Sequence, residues 1–103
     1  MLQEIIAQNA YQNWAYRIHT WRTQARKEVD FILYGKRRLL AIEVKTSSRV
    51  RDEDLASLRL FLSDYPEAEA FFVYGGSKEQ KLRDLTLIPA DSFIRRLPHW
   101  LAP

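Results

Sequence analysis

The chain has 103 residues, enough for one domain and one core. Hydrophobic residues make up 47% and charged residues 28%, a globular composition, and the net charge of +3 permits a phosphate-rich partner without demanding one. There is no cysteine, which excludes disulfides, thiolate catalysis and cysteine-ligated metal centres. The two histidines, His19 and His99, are far apart, so metal chemistry here falls to oxygen ligands. No apolar run approaches the roughly 20 residues that span a bilayer, and the first residues lack the pattern of a signal peptide. These features suit a cytoplasmic protein with no membrane partner.

In chain order, residues 2–15 read as a helix, with Leu2, Ile5, Ile6, Asn9, Ala10 and Asn13 near one stripe. Residues 16–22 alternate apolar and polar groups as a strand does. After a polar connection, residues 28–34 form a second strand, Gly35-Lys36-Arg37 a turn, and residues 38–45 a third, largely apolar strand. The last two are too close for a crossover and make an antiparallel hairpin. Asp52 is expected to cap a helix over 53–65, with Glu53 and Asp54 at its positive end and Leu55, Leu58, Leu62 and Tyr65 as its core stripe. Residues 70–74 form a buried strand stopped by Gly75-Gly76, residues 85–88 a short strand, and residues from Pro89 or Ala90 to Leu97 a last short helix. The expected architecture is a single α/β domain over residues 1–103, with a mixed sheet flanked by helices.

The informative segment is the hairpin. With its turn centred near Lys36-Arg37, position 30 lies opposite 43 and position 28 opposite 45. Strand periodicity then puts Glu28, Asp30, Glu43 and Lys45 on one face, and Val29, Phe31, Leu33, Leu40, Ile42 and Val44 on the other. An ordinary hairpin with one wet face reads the same way. Here, though, Ile32, Leu39 and Ala41 share the face of the carboxylates, so charge collects at one end of an otherwise apolar surface. Two carboxylates at close range resist joint ionisation unless a cation lies between them. Oxygen ligands suit Mg²⁺ or Mn²⁺, and a neighbouring lysine can orient water or stabilise charge on a phosphate.

Asp30, twelve intervening residues and then Glu43-Val44-Lys45 resemble the D…(D/E)-x-K signature of the PD-(D/E)xK nuclease superfamily. The segments 16–22, 28–31, 42–48, 58–65 and 72–76 together resemble the DUF4143 C-terminal domain that follows AAA-type ATPase modules in prokaryotes. The resemblance covers nearly the whole chain. It implies a restriction-endonuclease-like α-β-β-β-α-β core and metal-dependent hydrolysis of DNA. By that resemblance Asp30, Glu43 and the carbonyl of Val44 hold Mg²⁺ or Mn²⁺, Lys45 positions the attacking water, and Glu4 completes the metal shell or is a solvated helix glutamate. Val29 stands where the full motif has proline. The alternative is a non-catalytic module of the same fold that binds nucleic acid or a protein, as the detached tail of an ATPase. The phosphate-binding loop of an ATPase does not occur in the chain.

Connectivity puts Arg22, Arg26, Lys27, Arg49 and Arg51 at the acidic end of the hairpin, where they are candidates to hold a nucleic-acid backbone with Thr46, Ser47 and Ser48. Lys36, Arg37 and Arg38 lie at the other end and read as a solvated turn. Trp14, Trp21 and Trp100 read as core or interface rather than base-stacking platforms. A core this small is expected to need a homodimer or an ATPase partner domain to complete its DNA-embracing surface.

Overall fold

The computed structural model describes residues 1–12, 15–36 and 38–101. Asn13, Trp14 and Arg37 lie outside the described residues. The elements are α1 (Leu2–Gln12), β1 (Arg17–Arg22), β2 (Glu28–Tyr34), β3 (Leu39–Val44), a 3-10 turn (Asp52–Leu55), α2 (Ala56–Asp64), β4 (Glu69–Tyr74), β5 (Gln80–Lys81), β6 (Thr86–Pro89), α3 (Ala90–Arg95) and α4 (Leu97–Leu101). Helix α1 stops short of the expected residue 15. Ala15 has φ of 63°, which a right-handed helix does not accept.

The strands form one mixed sheet in the order β1-β2-β3-β4-β6-β5. Strands β1, β2 and β3 are an antiparallel meander. Helix α2 then carries the chain back so that β4 pairs parallel with β3. The chain next runs to the far edge as β5, turns at Leu82–Leu85, and returns as β6 between β5 and β4, parallel to β4. The sequence shows neither β5, which is two residues long, nor α4 as a separate helix.

Each face of the sheet carries its own core. On one side Leu33, Leu40, Ile42, Phe71, Val73 and Ile88 pack against Ile5 of α1 and against α3 and α4. There Phe71, Phe93 and Trp100 form an aromatic triangle with ring centroids 4.7–5.6 Å apart, the offset and tilted packing that suits ring quadrupoles. On the other side Val29, Ile32, Ala41, Phe72 and Leu87 pack against Leu55, Leu58 and Phe61. Phe61 is buried where Tyr65, expected in the core stripe, is 41% exposed. Leu55, Leu58 and Leu62 pack in this core as expected, and Phe61 joins them.

The carboxyl ends of β3, β4 and β6 lie at the same end of the sheet as the β1–β2 turn. In open α/β sheets this is the end where ligand sites are built. The loop after β3 is tied down there. Gly75 donates its N–H to Ser47 (2.9 Å), and a Cβ on Gly75 would come 2.1 Å from the Thr46 carbonyl oxygen. Glycine is needed at 75 because two backbones meet.

Candidate active site

The β1–β2 connection is a tight loop closed by Thr23 N–H to Lys27 O (2.9 Å) and Arg26 N–H to Thr23 O (3.1 Å). Arg26 takes φ of 63° there, the left-handed residue that a three-residue hairpin loop needs. Further along, the register runs from His19↔Ile32 to Trp21↔Val29, leaving one residue on β1 (Thr20) against two on β2 (Asp30 and Phe31). The extra residue falls at Asp30–Phe31, and the Thr20 hydroxyl donates to the Asp30 carbonyl there (3.3 Å). A bulge re-aims side chains. It puts Val29 in the α2-side core beside Ile32, where strict alternation had placed it with Phe31 and Leu33. The expected face assignment fails at this point for that reason.

Beyond the bulge, β2 and β3 cease to exchange backbone bonds. The ladder matches the expected register from Tyr34↔Leu39 to Phe31↔Ile42 and ends there, so neither of the expected pairs at the site, 30–43 and 28–45, belongs to it. The Asp30 carboxylate then accepts the Val44 N–H at 2.9 Å, replacing a main-chain partner with a side chain. Glu28 instead faces Arg22, 3.3 Å away.

Glu43 neighbours Phe72 across the parallel β3–β4 pair and so lies on the α2 side. Its Oε2 is buried and has no hydrogen-bond partner. Burial, then the negative charges of Asp30, Glu28 and Asp54, push its carboxyl up to about 7. Lys45 lies two residues on, its Nζ 2.7 Å from Asp54 Oδ2. That ion pair and a hydrogen bond from the Arg51 N–H (2.8 Å) hold Asp54 below the usual carboxylate range. Arg51, not Asp52, is the residue that caps the helical segment, because Asp54 reaches back to it from the third position of the turn. Asp54 was missed as a site residue. Its signal is the acidic run 52–54 placed directly after a basic loop.

The remaining candidates do not all meet at this cluster, since α1, which carries Glu4, packs its Ile5 on the other face of the sheet. Glu4 lies in the first turn of α1 beside the Met1 amino group (3.0 Å), which lowers its pKa. Arg22 and Arg51 pair with Glu28 and Glu53. Arg26, Lys27 and Arg49 are exposed and, among the described residues, have no carboxylate partner. Ser47 spends its hydroxyl within the loop, on the Arg49 backbone. Ser48 is exposed in the same loop. Arg38 is not in a solvated turn: its guanidinium donates to the Trp100 carbonyl (2.8 Å) on the α4 side.

Among the described residues, no three acidic or histidine side chains form a metal-binding group. Mg²⁺ is commonly held by one or two carboxylates, with water and substrate phosphate completing its shell. An orphaned, buried carboxylate oxygen among like charges is the kind of group such a cation satisfies.

A family model described as "Domain of unknown function (DUF4143)" matches residues 1–93. The chain belongs to the DUF4143 family. The match takes in Asp30, Glu43, Lys45 and Asp54 and ends inside α3, so Trp100 and α4 lie beyond the DUF4143 span. No curated protein matches the chain. Among the described residues, no helix is long and apolar enough to cross a membrane.

Proposed function

We propose that this is a restriction-endonuclease-like domain that hydrolyses phosphodiester bonds in DNA with Mg²⁺ or Mn²⁺. The observation that carries the reading is Glu43. Its unpartnered Oε2 lies buried among Asp30, Glu28 and Asp54, with Lys45 two residues away on the strand. Asp30, Glu43 and the Val44 carbonyl would hold the cation, which when bound supplies Lewis-acid stabilisation of charge on the phosphate. The Asp30 carboxylate is fixed by the Val44 N–H, which leaves its other oxygen for a ligand. Lys45 orients the attacking water and offsets the negative charge that develops on phosphate oxygens, with Asp54 setting the position of its ammonium. Arg26, Lys27 and Arg49 hold backbone phosphates around the site.

The test is cleavage of plasmid and single-stranded DNA in Mg²⁺ or Mn²⁺ by the native chain and by D30N, E43Q and K45A. Glutamine and asparagine keep the shape and remove the charge. Metal-dependent cleavage lost in all three variants is the expected result; cleavage unchanged in them overturns the reading.

One observation favours a second reading. The Lys45 ammonium is already committed to Asp54 at 2.7 Å. A non-catalytic module of the same fold, binding nucleic acid or an ATPase partner, needs that pair only as a brace between β3 and the turn before α2. It predicts no turnover in either metal, with DNA or partner binding retained.

A further inference from the structure

The α2 side of β1–β3 carries a groove of about 420 Å³ lined by His19, Trp21, Tyr34, Phe61 and Tyr65, among others, and by the exposed Glu67, its one carboxylate among the described residues. Its aromatic rings are ordered against one another. Trp21 meets Phe61 edge-on at 5.3 Å, and Tyr65 stacks on Phe61 at 4.7 Å. Tyr34 is 57% exposed and Tyr65 41% exposed, so each offers ring surface to water.

The strands that line the groove also carry the acidic cluster. Trp21 pairs with Val29, the Thr20 hydroxyl bonds to the Asp30 carbonyl, and Ile32 on the groove floor pairs with Ala41, two residues from Glu43. Cations flank it at both ends of β1. Arg17 is the cross-strand partner of Tyr34, and Arg26 and Lys27 follow the other end. Among the described residues none of the three has a carboxylate partner. The five-residue step from Arg17 to Arg22 covers about 17 Å of strand.

We infer that this groove holds unpaired bases of a single-stranded nucleic acid whose backbone runs along β1 toward Asp30, Glu43 and Lys45. The inference rests on the phosphodiester reading of that cluster and narrows its substrate class. A duplex hides its bases and presents phosphates, which an aromatic groove carrying the Glu67 carboxylate does not match. A single strand presents both: π-faces for Tyr34 and Tyr65, and phosphates for Arg17, Arg26 and Lys27.

The experiment is fluorescence anisotropy with an end-labelled 12-nucleotide oligothymidine and a 12-base-pair duplex. It is run in EDTA on the native chain, Y34A, Y65A and R17A, with circular dichroism confirming each fold. The single strand is expected to bind more tightly than the duplex. Y34A and Y65A should each weaken it roughly 5- to 150-fold, the range for loss of one base stack. Their salt dependence stays that of the native chain, whereas R17A lowers the salt slope by about one unit. Duplex preference, or native affinity in both tyrosine variants, overturns the inference. So does capture of a peptide by the groove with no oligonucleotide bound. Metal-dependent duplex cleavage with no tyrosine effect removes the groove assignment and leaves the nuclease reading. Tyrosine-dependent single-strand binding with no turnover in either metal does the reverse.

Discussion

Lys45 Nζ lies 2.7 Å from Asp54 Oδ2, joining the end of β3 to the turn that starts α2. On the hydrolytic reading, the pair sets where the ammonium points toward a substrate phosphate. K45A is expected to lower metal-dependent kcat/KM about 10²- to 10⁴-fold, the range for losing a positioned proton-transfer group. D54N keeps the shape of the partner and releases the ammonium. It should lower kcat with little change in KM and move the pH–rate profile, whereas a merely bracing role would change the melting temperature alone.

Glu43 has a direct consequence for pH. Its folded pKa of about 7 is raised above the ordinary 4.5. Between those values the folded chain holds a proton that the unfolded chain releases. Stability is therefore fully present below about 4.5 and falls as pH rises through about 7. Asp54 acts in the other direction and lower down, since its lowered pKa gives stability that is lost as pH falls below the ordinary 3.8. Melting curves from pH 4.5 to 8 should slope downward in the native chain and flatten in E43Q. Mg²⁺ should raise the melting temperature more at pH 8 than at pH 5.5, because it competes with the Glu43 proton.

Much of the hairpin was legible in the sequence because short apolar runs bounded by Gly35 and by charged loops leave few ways to pair. The register Phe31↔Ile42 follows from the turn position alone. The bulge at Asp30 was not legible, since it is decided by the pairing of β1 with β2 rather than by either strand. Asp54 was hidden for a similar reason: its partners, Lys45 and Arg51, meet it only through a loop of irregular backbone. The aromatic groove escaped notice because Trp21, Tyr34 and Tyr65 come from three elements, and the expected stripe placed Tyr65 inside.

Asn9 joins α1 to β1 by a two-way bond. Its Nδ2 donates to the Tyr16 carbonyl (2.9 Å) and its Oδ1 accepts the Tyr16 N–H (3.0 Å). N9A leaves both half-buried backbone groups without that partner. It should cost about 1–3 kcal/mol, read from urea unfolding. DNA cleavage per folded molecule should not change.

G75A forces a methyl group against the Thr46 carbonyl. The two backbones must separate, at about 1–3 kcal/mol for an overpacked site, and the loop after Lys45 moves with them. Both the unfolding midpoint and kcat/KM should fall, in contrast to N9A. Retained activity in a destabilised G75A would show that the loop position does not matter to the cluster.

R26G separates stability from binding. Arg26 holds a left-handed φ that glycine adopts without steric penalty. The variant should unfold at equal or higher urea concentration, while oligonucleotide affinity drops and the salt slope falls by about one unit.

The strand order predicts an order of assembly. The β1–β2–β3 meander closes through short loops, whereas β4 and β6 need long-range closure. Asp30 and the Val44 N–H can therefore meet early in folding, while Gly75 reaches Ser47 only when the parallel half is in place. Pulse-labelled hydrogen exchange should protect the Val44 amide before the Gly75 amide. A partly folded chain would then carry its carboxylates without the loop that frames them, and on the hydrolytic reading competence would arrive with the docking of β4 rather than with the hairpin.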